Sequence, residues 1–146
     1  MLTFGRLSEL RIPQGTLLQA REHFEVMPPS EHGPRLQFQV FCNGMPIGHA
    51  RLEKVERSTY SHSRILNLFD ARHCPTYALK MIQISQNYRN RGIGTVLLKE
   101  ILHYCKNHNV HRVTGEINGE MAVLRPWYRK NGFAVVNDTW IEFQLA

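Results

Sequence analysis

The chain has 146 residues, of which 42% are hydrophobic and 21% charged. These values exclude a disordered or fibrous chain and fit one domain, residues 1–146, able to bury roughly 70% of its unfolded surface. The net charge of +6 is concentrated: between Lys80 and Lys130 nine lysines and arginines face three glutamates, and elsewhere the signs cancel.

Cys42, Cys74 and Cys105 form no CxxC pair, which argues against a disulfide framework and for a reduced, cytoplasmic compartment. The opening MLTFGRLSEL lacks the apolar core of a signal peptide, and no apolar run reaches membrane-spanning length. In chain order, TLLQAREHFEVM (Thr16 to Met27) carries apolar residues at helical spacing and predicts a helix, which PPSEHGP ends. RLQFQVF and PIGHARLEKV flank Asn43-Gly44, a strong hairpin signal. RILNLF (Arg64 to Phe69) and YALKMIQIS (Tyr77 to Ser85) read as further strands.

An apolar stripe of Ile93, Val96, Leu97, Ile101, Leu102, Tyr104 and Cys105 then marks an amphipathic helix, stopped at Asn107 to Asn109. VHRVTGEI is a strand, MAVLRPWYRKNGF a shorter helix ended at Gly132, and TWIEFQL a last strand. The order predicts a mixed α/β or α+β domain, with a parallel crossover between Tyr77 and Ile117.

RNRGIG lies where the strand ending near Ser85 gives way to the helix through Leu98. A helix N-terminus leaves about four backbone N–H groups without partners and carries a partial charge of roughly +0.5. Gly92 and Gly94 remove side chains that would hold a ligand away, and Arg89 and Arg91 add full charges. The combination suits phosphate, above all pyrophosphate. A Rossmann fingerprint fails because Leu97 stands where its third glycine belongs, and no Walker A string exists. Taken alone, a glycine turn flanked by arginines also serves a purely structural purpose.

Downstream, WYRKNGF sets Tyr128 four residues ahead of Gly132-Phe133. Together the two segments resemble the GNAT superfamily of N-acetyltransferases. Its [RQ]-x-x-G-x-[GA] acetyl-CoA loop precedes a strand and a helix that holds a tyrosine just before Gly-Phe. Arg89, Gly92 and Gly94 match the loop; Tyr128, Gly132 and Phe133 match the later motif. The resemblance covers Tyr77 to Phe133 and rests on element order before that. Where many members have an asparagine seven residues before the tyrosine, this chain has Met121, and Asn118 is the nearest substitute for its cofactor contact. Pro126 suggests that the tyrosine helix starts near Arg125, leaving GEMAVL as loop.

The resemblance implies a central mixed, mostly antiparallel sheet with a parallel splayed strand pair, flanked by helices. It implies acetyl-CoA, or a related acyl-CoA, as co-substrate and no metal. The pyrophosphate would lie on the N–H groups from Arg91 to Thr95, among Arg89, Gly92, Ile93 and Gly94. The backbone of Ile82 and Ile84 would pair with the pantetheine arm, and an N–H near Ile82 would polarise the thioester carbonyl. The implied reaction is transfer of an acetyl group to a primary amine by direct attack through a tetrahedral intermediate. An alkyl ammonium of pKa near 10.4 needs a base at neutral pH; Glu116 is the first candidate and Glu120 the second. Tyr128 is the candidate acid for the departing thiolate.

His103, His108 and His111 match no zinc spacing and fit a helix C-terminus, where the dipole favours imidazolium. The acceptor reads as a small-molecule or peptide amine, shaped by Glu22 to Pro34 and Asn137 to Thr139. Glu22, Glu25 and Glu31 are the residues a polyamine pocket would use. No membrane partner is expected, and a homodimer is allowed. The rival function is a catalytically inactive GNAT-fold module binding a polyanion such as nucleic acid. The basic segment lacks the interleaved aromatics of a nucleic-acid reader, which leaves that partner unfavoured.

Overall fold

The computed structural model describes residues 2–4, 22–55 and 75–145. These form strands β1 (Leu2–Phe4), β2 (Phe24–His32), β3 (Arg35–Cys42), β4 (Met45–Lys54), β5 (Thr76–Ile84), β6 (Arg112–Glu116), β7 (Ala134–Val136) and β8 (Trp140–Gln144). A single 3₁₀ turn, Gln86–Tyr88, precedes helix α1 (Ile93–Asn107), and helix α2 (Met121–Lys130) follows β6. The strands hydrogen-bond in the order β1-β2-β3-β4-β5-β6-β8-β7. β5 and β6 are parallel, whereas β1–β2, β2–β3, β6–β8 and β7–β8 are antiparallel. This is the mixed, mostly antiparallel sheet with one parallel pair that the resemblance implies.

The chain gathers into two compact units, Met1–Arg51 with Met81–Glu100, and Leu52–Lys80 with Ile101–Ala146. In the first, the period of two in β3 buries Leu36, Phe38, Val40 and Cys42 and turns Gln39 outward. The β3–β4 turn is built by Asn43 and Gly44, both at positive φ (50° and 81°), as the Asn-Gly pair predicts. Gly48 of β4 has no room for a side chain: a Cβ there would meet Ile84 Cδ1 at 2.6 Å and Val40 Cγ1 at 2.9 Å. In the second unit Val113, Ile117, Tyr128, Phe133 and Ile141 are buried. The Phe133 and Phe143 rings lie 5.1 Å apart.

Three expectations change. Residues Phe24 to Met27 are strand rather than helix and Glu22 and His23 are in neither; Thr16 to Arg21 of that predicted helix lie outside the described residues, as does the predicted strand Arg64 to Phe69. Phe24 and Val26 are buried while Glu25 is only half-buried, so the period there is two, and the apolar count alone hid it. Pro28 and Pro29 do not end the element, because the β2–β3 register shifts between Met27 and Ser30 and the bulge absorbs residues that cannot donate to the ladder. Finally, α2 starts at Met121 and carries Pro126 inside it. Pro126 cannot donate to the carbonyl of Ala122, and Ala122 is exposed, so water can donate to that carbonyl instead.

Candidate active site

The parallel register of β5 and β6 runs from Thr76↔Arg112 to Leu79↔Gly115. At that last pair a Cβ on Gly115 would meet the Leu79 carbonyl at 2.9 Å, so glycine is what permits the approach. β5 nevertheless continues to Ile84. The bonds Val55 N–H to Thr76 O and Ser85 N–H to Ile47 O mark its two ends. Ala78 and Leu79 are both buried, and Lys80 and Met81 are both exposed.

The direction of the β5 backbone at Ile84 follows from one bond. The Ser85 N–H points at β4, so the Ile84 carbonyl of the same trans peptide points to the opposite edge. The Ile82 carbonyl, one strand repeat earlier, shares that direction. The Ile84 carbonyl accepts a bond from Arg89 Nε at 2.9 Å.

Gly92 opens α1, its carbonyl accepting the Val96 N–H at 3.1 Å. The N–H groups of Gly92, Ile93 and Gly94 therefore precede the first turn that could pair them within the helix. Gly92 has φ +82°, a conformation other residues adopt at a cost, and a Cβ built there meets nothing within 4 Å. The turn thus faces open space, with the shape and polarity of an anion cradle.

The two arginines play unequal parts. Arg89 is exposed and keeps its terminal nitrogens beyond the Nε bond to Ile84. Arg91 is committed: Nη1 donates to both carboxylate oxygens of Glu22, at 2.9 and 3.2 Å, and the guanidinium lies 5.2 Å from the Tyr88 ring centre. Tyr88 in turn meets Phe24 edge-on at 6.3 Å, with its hydroxyl beside the Cys42 thiol. Burial pushes the Cys42 thiol above its usual range. Sequence reading missed this network because Glu22 and Arg91 are 69 positions apart and no local pattern links them.

Tyr128, Glu116 and Asn118 belong to the second unit. Tyr128 is buried in α2, its ring 4.8 Å from Trp127 and 5.5 Å from Phe133. Burial pushes its hydroxyl up to about 12, so the proton stays on at neutral pH. Asn131 closes the helix, and Gly132 at φ +92° lets the Phe133 N–H return to the Tyr128 carbonyl at 3.0 Å. This loop-back is the physical content of the Tyr…Gly-Phe spacing. Glu116 is exposed at the end of β6, opposite Trp140. Asn118 is exposed just before Gly119, whose φ of +134° makes the sharp entry to α2, and Glu120 caps that helix without a side-chain bond.

A cleft of about 430 Å³ opens in the first unit, lined among others by Gln39, His49, Gln83, Gln86 and Arg89. His49 Nε2 lies 3.0 Å from the Met81 sulfur. The lining contains no carboxylate. Of the three acidic residues expected for a polyamine pocket, Glu22 is bonded to Arg91 and Glu25 to His23 at 2.8 Å, and Glu31 lies on β2. Among the described residues no group of His, Cys, Asp and Glu gathers as a metal ion requires, and no helix is long and apolar enough to cross a membrane.

A parallel strand pair that stops short of a glycine-opened helix, followed by a tyrosine helix looping back on Gly-Phe, defines an acyltransferase-type fold. The family model described as the acetyltransferase (GNAT) family matches residues 6–133, and the chain belongs to that family. No curated protein matches it by sequence. Among solved structures it is similar to a GNAT family acetyltransferase from Elizabethkingia anophelis with acetyl-CoA bound, with TM-score 0.64 and 14% identity over 84% of this chain and 98% of the other. It is also similar to the ribosomal-protein-S18-alanine N-acetyltransferase of Escherichia coli, with TM-score 0.60 and 18% identity over 80% and 72%. A third is the PaiA N-acetyltransferase of Thermoplasma acidophilum in complex with coenzyme A, with TM-score 0.56 and 18% identity over 76% of this chain and 61% of the other. At these identities the likeness speaks for the fold.

Proposed function

We propose that the protein is an acetyl-CoA-dependent N-acetyltransferase of the cytoplasm, acting on the primary amine of a small molecule or peptide. The observation that carries the reading is the α1 N-terminus, where Gly92 at φ +82° has open space where a side chain would stand, beside N–H groups that precede the first helical turn. The residues present fit the group: the Gly92, Ile93 and Gly94 N–H groups, with Thr95 beside them, take the pyrophosphate, and the terminal nitrogens of Arg89 add charge. The backbone edge of Ile82 and Ile84 takes the pantetheine amides, with the Ile84 carbonyl shared with Arg89. Asn118 stands in for the family's cofactor asparagine. Two relatives of the same fold were crystallised with coenzyme A or acetyl-CoA, which supports the donor.

Acetyl-CoA, when bound, supplies an activated acyl group and a thiolate leaving group. The protein's part is to orient and to move protons. An N–H near Ile82 donates to the acyl oxygen. Glu116, exposed to water, removes the ammonium proton directly or through a water. Tyr128 holds the proton that the thiolate receives, and burial keeps that proton in place until it is needed.

The test is thermal stabilisation by acetyl-CoA, compared with free adenine nucleotides, in wild type and Gly92→Asp. The wild type should gain several degrees at millimolar acetyl-CoA, and the variant, with a carboxylate on the cradle, should gain nothing. A wild type indifferent to acetyl-CoA would sink the reading.

A further inference from the structure

We infer that Glu22 is a positioning residue for the phosphate loop, acting through Arg91, and that Arg91 is a strut for the Gly92 turn rather than a phosphate ligand. The affinity arm of its test rests on the acetyl-CoA reading; the loop arm does not.

Arg91 stands between two residues at positive φ, Asn90 at 60° and Gly92 at 82°. Such a turn has little preference of its own, and ordering it at the moment of binding would cost affinity. Arg91 is held on one side by both oxygens of Glu22 and on the other by the Tyr88 ring. Glu22 lies just ahead of β2, whose Phe24 is paired in register with Cys42 of β3 and packs on Tyr88. The turn is therefore tied to the residue just ahead of β2 by one guanidinium nitrogen that reaches both carboxylate oxygens, while the group itself lies over the Tyr88 ring. A guanidinium already facing a carboxylate has little charge left for phosphate.

The two roles for Arg91 predict opposite signs. If Arg91 were a phosphate ligand restrained by Glu22, Glu22→Gln would release it, remove a nearby negative charge and tighten acetyl-CoA binding. If it is a strut, the same change loosens the turn and weakens binding although the site becomes more positive. Calorimetric titration should show Glu22→Gln weakened about fivefold. Glu22→Gln/Arg91→Gln should be no weaker than the worse single variant, and the exchange Glu22→Arg/Arg91→Glu should recover part of the loss. Arg91→Lys, which keeps the charge but loses the planar group held between Glu22 and the Tyr88 ring, should also bind more weakly, and serves if Glu22→Gln does not fold. Binding by Glu22→Gln or Arg91→Lys as tight as wild type overturns the inference.

Amide exchange in the absence of ligand gives the second arm. In Glu22→Gln the segment Tyr88 to Thr95 should exchange faster while Ile101 to Cys105 is unchanged. If wild type binds no acetyl-CoA, the functional reading fails, and the strut is decided by this arm alone. Unchanged exchange there overturns it.

Discussion

At the scale of single residues, the informative quantity is where a proton sits. The Tyr128 hydroxyl is raised from 10.0 to about 12 by burial. A group whose folded value lies above its unfolded value stabilises the protein below the unfolded value, and that stability disappears as pH rises through the folded one. Wild type should therefore lose stability between about pH 10 and pH 12, by about 2–3 kcal/mol from this residue. Cys105, raised to about 12 from 9.0, adds a loss of the same sign that begins lower. Denaturant titrations of wild type and Tyr128→Phe separate the two, because only the tyrosine component should vanish. In the same variant kcat should fall about a hundredfold with the acetyl-CoA KM nearly unchanged. Undiminished turnover in Tyr128→Phe would remove Tyr128 from the acid role.

At the scale of elements, glycines that look alike in sequence do different work. Gly132 and Gly33 both have positive φ, +92° and +60°, but a Cβ at Gly132 would meet Phe143 Cε2 at 2.8 Å and one at Gly33 would meet nothing within 4 Å. Gly33→Ala should cost about 1 kcal/mol from backbone strain alone. Gly132→Ala should cost about 1 kcal/mol more, because Phe143 must move within the packing around Phe133. Chemical denaturation of both variants measures the difference, and equal costs would mean that the Phe143 contact is slack.

These cases also mark what the sequence makes legible. Asn43-Gly44 and the Tyr128…Gly132-Phe133 spacing are local chemistry and appear as read, whereas the buried face of α1 is Ile93, Leu97, Leu98, Ile101 and Cys105, with Val96, Leu102 and Tyr104 of the expected stripe only half-buried. The β2 segment was misread because its alternation is short and its prolines imitate a terminator, whereas the bulge that accommodates them exists only in the register with β3. Pro126 misled for a related reason, since what rescues a proline inside α2 is the exposure of Ala122, which no local pattern announces. The Glu22–Arg91 pair and the end of the β5–β6 register are tertiary facts, formed between segments far apart in the chain.

At the scale of the molecule, the charge map is the main lever. The excess of +6 between Lys80 and Lys130 includes the Arg89 to Gly94 turn. Arg91 is offset by Glu22, so the loop carries less free charge than its sequence suggests. Acetyl-CoA binding should weaken only a few-fold between about 50 and 200 mM salt, whereas a nucleic-acid module making six or more phosphate contacts would lose about 10³-fold or more over that range. Titrating acetyl-CoA and a short RNA duplex across these salts decides between donor site and polyanion module. Tight RNA binding at high salt that persists with acetyl-CoA present would favour the module.

The bond from Arg89 to the Ile84 carbonyl has a protective side as well. A strand that outruns its neighbour leaves an edge onto which any extended chain can add itself. On β5 that edge is short, begins beside the exposed Lys80, and has its last carbonyl covered by a charged side chain from the same loop. A charge at that position is one of the features that discourage strand addition by another chain.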